Sequence, residues 1–194
     1  MPVAVLANRA AWRRWRDQRL SALRHLAGEH AWSILPLLDP ASRFPVPQCP
    51  AGAAVGTELA VAGRRGLRAV LAASLLVSPR GPHGRLGVRF RDDVVLVLSL
   101  EVSRPVGSPH WSVTTGSRGD LAALSGPVPA FLAGLPPRSA GGRGLGPGEF
   151  LTATGDELLW SSLLNSPTDV VALVEQRLAL LAEIAETLDE GLRA

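Results

Sequence analysis

The sequence predicts an α+β protein: an antiparallel β-meander packed on one face by a long C-terminal helix, with an N-terminal helix added to it. Three observations carry that expectation. Apolar residues recur at spacings of three and four between Ser166 and Gly191. They recur at every second position in the middle of the chain, and Gly, Pro and Asp clusters cut that middle into strand lengths. The implied organisation is an Arg/Trp-rich helix over residues 1–38, a Pro-rich loop over 39–56, and a sheet-plus-helix body over 57–194, forming one globular unit.

Taken in order, residues 9–31 read as a helix whose apolar face carries Trp12, Trp15, Leu20, Leu23, Leu26 and Ala27, with Arg16 and Arg19 inside the same arc. An Arg on such a face stacks over indole or lays its stem along apolar surface. Trp32 and Ile34–Leu38 continue the apolar character until Pro36 and Pro40 stop the helix. Pro40, Pro45, Pro47 and Pro50 then exclude regular structure.

From Thr57 the period becomes two. Leu59 and Val61 begin a strand, Gly63–Gly66 is a turn, and Leu67–Val77 a second strand. Leu86, Val88 and Phe90 alternate with Gly87, Arg89 and Arg91, and Asp92-Asp93 connects them to the next strand. There Val94, Leu96, Leu98, Leu100 and Val102 face one side, and Val95, Val97, Ser99 and Glu101 the other. Trp111–Thr115 supplies a further strand. Asp120–Leu124 and Pro129–Leu135 read as short helical turns, and Glu149–Thr154 with Glu157–Trp160 as a hairpin.

The final helix has Ser166 as N-cap, Pro167 at the first helical position and Asp169 in the first turn. Its seam runs Val171, Val174, Leu178, Leu181, Ala185, Leu188 and Leu192, widened by Val170, Leu173, Leu180 and Ile184, with Gly191 as C-cap.

Composition narrows the functional classes. No apolar run reaches the roughly 18 residues of a membrane-spanning helix, and no signal-peptide pattern opens the chain, so a cytoplasmic protein is expected. Cys49 is the only cysteine, which rules out an intrachain disulfide. Every basic residue is Arg, which together with abundant Ala, Gly and Pro fits the codon usage of a high-GC bacterium. Charge is unevenly distributed. Residues 1–148 carry 18 Arg against 8 acids, a net of +10; residues 149–194 carry 2 Arg against 9 acids, a net of −7. The expected reason is that the acidic C-terminal helix packs near basic parts of the same fold or of a second copy.

No motif supplies catalysis. Gly142–Gly148 lacks the Lys-Ser/Thr ending of a phosphate loop and contains Pro147, so it reads as a connection. Arg118-Gly119-Asp120 reads as a turn rather than an adhesion signal. His25, His30, His83 and His110 show no metal-ligand spacing. Glu101 stands out as a carboxylate among apolar strand residues, with Arg89 or Arg104 as the expected partner. No cofactor is implied.

The expectation is therefore a non-enzymatic protein–protein interaction or assembly module, an adaptor or a self-associating subunit. Its partner would be another protein or a second copy, met through Trp12, Arg13, Trp15, Arg16, Arg19, Leu23 and Leu26 and through Leu178, Leu181 and Leu188. One alternative is nucleic-acid binding through Arg9, Arg13, Arg14, Arg16 and Arg19 with Arg64, Arg65 and Arg68. A second alternative is a small apolar ligand held in a pocket between sheet and helix, lined by Glu101 or His110.

Overall fold

A computed structural model describes residues 2–36, 53–78, 93–103, 112–114, 145, 148–154, 156–164 and 168–191. Helix α1 (Pro2–Glu29) is followed by strands β1 (Ser33–Leu35), β2 (Ala54–Arg65), β3 (Arg68–Ser78), β4 (Asp93–Glu101), β5 (Ser112–Thr114), β6 (Glu149–Thr154) and β7 (Glu157–Leu163), then helix α2 (Val170–Gly191). All strand pairings are antiparallel, in the order β1-β2-β3-β4-β7-β6-β5. Two up-and-down runs, β1 to β4 and β5 to β7, thus join through β4 and β7 at the centre.

Helix α1 ends where its backbone turns. Ala31 takes a left-handed conformation, with φ of 53°. Its N–H donates to the Gly28 carbonyl and that of Trp32 to the Ala27 carbonyl, at 3.3 and 2.7 Å, so the last carbonyls are satisfied. The Pro36 stop expected from the sequence is not what ends the helix. After Trp32 the chain becomes the edge strand β1, pairing Ile34 with Val61. Three residues are too few for a legible period, and only the neighbouring strand makes this one.

The sheet divides the apolar residues as alternation predicts. On one face Leu59, Val61, Val70, Ala72, Val94, Leu96, Leu98, Leu100, Leu158 and Trp160 join residues of both helices in a single core. On the far face Ala60, Leu71, Ala73, Leu75, Val95, Val97 and Leu159 form a second cluster. Strand β4 is buried at every position from Val94 to Leu100, as a central strand covered on both sides must be. Helix α2 buries Val170, Leu173, Val174, Leu178, Leu180, Leu181, Ile184 and Ala185 on the first face. At roughly 1.5–3 kcal/mol for each large aliphatic side chain, this seam is a principal source of stability.

Several boundaries are corrected. Thr168 and Asp169 precede helix α2, and Asp169 Oδ1 accepts a hydrogen bond from Ala172 N at 3.1 Å, so Asp169 is the N-cap instead of a first-turn residue. Gly191 is the last helical residue. Ala54–Gly56 belong to β2, where a loop was expected, and Asp93 opens β4, where a turn was expected. The expected strand over Leu86–Arg91, the helical turns at Asp120–Leu124 and Pro129–Leu135, Cys49, His83, His110 and Arg118–Asp120 lie outside the described residues. Among the described residues, no helix is long and apolar enough to cross a membrane.

Candidate functional site

The Trp/Arg face of α1 is the feature with the most distinctive chemistry, and its geometry begins at a fault in β2. Register slips between Thr57 and Leu59, leaving Glu58 without an opposite residue on β3. A bulge of this kind re-aims a side chain. Glu58 accordingly turns toward α1, its side chain 2% exposed. There it accepts hydrogen bonds from Arg16 Nε, Arg19 Nη2 and, at 3.1 Å, Ser74 Oγ.

Spacing on the helix completes the cluster. Trp12 and Arg16 are one turn apart, as are Trp15 and Arg19, so each guanidinium lies over the preceding indole. The distances to the ring centres are 5.9 and 4.5 Å. Arg19 is wholly buried, and its Nε and Nη1 make no hydrogen bond. Burial pulls its guanidinium below the usual arginine value; the Glu58 charge and hydrogen bond oppose that pull, and Arg16 adds to it.

A second cluster of the same composition anchors α2. Arg177 Nη2 reaches Glu149 Oε2 at 3.2 Å, the Trp160 indole N–H donates to the same carboxylate at 3.2 Å, and all three residues are buried. The two clusters are connected by register. Glu149 is opposite Ser162, Ser162 opposite Leu96, Leu96 opposite Ser74, and Ser74 opposite Leu59, beside Glu58. One transverse row on the helix-bearing face therefore carries a carboxylate near each end; α1 brings Arg16 and Arg19 onto Glu58, and α2 brings Arg177 onto Glu149.

Three further ion pairs tie basic residues of the first half to the acidic final helix. His30 and Arg65 share Glu175, and Arg68 reaches Asp189 at 2.6 Å. The charge asymmetry between the halves is thus matched within one molecule at these points. Arg64 donates to the Leu67 carbonyl.

The structure separates the residues singled out in the sequence. Leu23, Leu26, Leu178 and Leu181 are inside the common core, with Leu188 packed at its margin. Arg19 is buried against Glu58, and Trp15 packs on the core. These positions hold α1 and α2 on the sheet; Trp15 and Leu188 are half-buried and the others buried. The set expected to bind nucleic acid loses Arg19 to a buried pair, while Arg16, Arg65 and Arg68 face carboxylates of their own chain. Arg13 and Arg14 are exposed and make no ion pair among the described residues, and Trp12 is half-buried. The side chain of Arg9 lies outside the described set. Arg89 and Arg104, the partners expected for Glu101, lie outside the described residues; its Oε2 accepts from Ala69 N at 2.8 Å. Sequence reasoning missed Glu58, Glu149 and Arg177. No local pattern marks them: Glu58 keeps the alternation with Leu59 and Val61, Glu149 follows a Gly-rich run, and Arg177 follows Glu175 and Gln176 on α2.

The fold defines an α+β protein with two helices on one face of an antiparallel sheet. Comparison with protein families, curated proteins and solved structures finds no match. Among the described residues, no three His, Cys, Asp or Glu are grouped to hold a metal ion.

Proposed function

We propose that this chain is a non-enzymatic interaction or assembly module whose outward part is the Ala10–Gln18 stretch of α1. The supporting observation is the change in burial along that helix. From Arg19 onward it contributes Leu20, Leu23, Leu26 and Ala27 to the core, whereas Ala10 to Gln18 are exposed or half-buried and include Trp12 with Arg13 and Arg14, which make no ion pair among the described residues. An anchored helix that carries an amphipathic aromatic and two exposed cations has the composition of a contact surface. Its anchoring also means that little conformational entropy is lost on contact.

A photo-crosslinking residue placed at position 13 of the full chain tests the reading in cells. The expected result is a defined adduct, with a second copy or with one other protein, that disappears when Trp12 is replaced by Ala. No adduct from position 13 or 14, with the protein folded and abundant, would overturn it.

A further inference from the structure

On the sheet face opposite the helices, a groove of about 390 Å³ opens at the end that carries the β2–β3 turn. Leu35, Ala62 and Leu71 form its apolar part, while Ser99, Glu101, Asp156 and Glu157 supply its polar lining. Glu101 and Glu157 stand directly opposite each other on β4 and β7, a pairing of like charges that costs stability where nothing neutralises it. The side chains of Asp156 and Glu157 make no ion pair among the described residues. Arg64, on the same face, is turned onto the Leu67 carbonyl, and Arg68 reaches the Glu101 backbone oxygen, not its carboxylate. Ser99 is 4% exposed, and its hydroxyl makes no hydrogen bond among the described residues although it lines the groove. A hydroxyl open to the groove beside two facing carboxylates, one of which also takes the Ala69 N–H, is a set of acceptors able to receive further donors.

The group that fits is a guanidinium on an apolar stem. It brings several N–H donors in a fixed plane, charge to separate the two carboxylates, and methylenes for the Leu35–Leu71 wall. The same chain displays such groups. Arg13 and Arg14 are exposed and make no ion pair among the described residues, on a helix that lies across the other face of the sheet. They cannot reach the groove of their own molecule. We infer that the Arg13–Arg14 surface of α1 in one copy docks into the Ser99–Glu101–Glu157 groove of a second copy, a head-to-tail contact. The inference rests on the assembly reading above and names its partner. Such a contact uses different surfaces on the two copies, so it closes into a ring or extends as a chain of molecules.

Light scattering on the full-length protein tests it. At low ionic strength the wild type should exceed the monomer mass and return to it as salt rises, because exposed charges are screened. Arg13→Glu/Arg14→Glu should be monomeric, and Asp156→Arg/Glu157→Arg, in two turn-proximal positions without ion pairs among the described residues, should be monomeric as well. An equimolar mixture of the two should associate again, since each reversed surface then meets a reversed one. Ser99→Ala keeps every charge and should weaken association roughly tenfold. It also serves as the readout if the groove double variant fails to fold by circular dichroism. A monomeric wild type at low salt, association unchanged in the α1 variant or in Ser99→Ala, or a folded mixture that stays monomeric would overturn the inference. In each of these cases a position-13 adduct with a different protein would still stand for the broader reading.

Discussion

Glu58 is held by Arg16, Arg19 and Ser74 at a position where regular pairing would have put no side chain on that face. Removing one member of a buried charged pair strands the other, at a cost of about 3–5 kcal/mol, whereas an apolar pair of similar volume is close to neutral. Glu58→Gln should therefore lower stability by about 3 kcal/mol in chemical denaturation. Glu58→Leu combined with Arg19→Met should recover most of that loss. A double variant as unstable as Glu58→Gln would show that the cluster stabilises through more than charge compensation. Neither residue announces this role in the sequence. The arginine is one of many, and the glutamate acquires its direction only from the bulge.

At the scale of elements, α2 is the most legible part of the chain. Its spacing of three and four named the buried side before any neighbour was known, and Val174, Leu178, Leu181, Ile184 and Ala185 are all fully buried. Leu181→Ala should cost about 2–5 kcal/mol, the range for deleting a buried leucine side chain. An unchanged unfolding midpoint would count against the helix-on-sheet contact. The alternation of β4 was legible for the same reason, since a period of two follows from the pleat alone. By contrast β1 was not, because its three residues follow the apolar tail of a helix and become a strand only through Val61 and its neighbours. The α2 cap was misplaced by a few residues: Ser166 and Asp169 are both good caps, and local chemistry does not rank them.

Across the whole molecule, α1 and α2 share one core with the sheet and are bolted to one transverse row of it. A unit of this kind unfolds as a whole. Denaturation followed by tryptophan fluorescence and by far-UV circular dichroism should give one coincident transition. Two separated transitions would mean that α1 detaches independently of the body. The Ala10–Gln18 stretch of α1 should behave differently from its anchored half, with Arg13→Glu/Arg14→Glu shifting stability by less than about 0.5 kcal/mol, as surface changes do.

By itself the sequence determined the class of fold, the buried side of α2, the two faces of β4, and the excess of cations ahead of an acidic tail. Each follows from local periodicity or composition, which require no knowledge of neighbours. Only the tertiary structure decided which cations remain exposed. Arg16 and Arg19 differ from Arg13 and Arg14 by a few positions on one helix, and it is the sheet, through a single re-aimed glutamate, that pairs with the first two and leaves the second two exposed. Pairing between residues about forty positions apart is a property of the packed chain, and no local pattern encodes it.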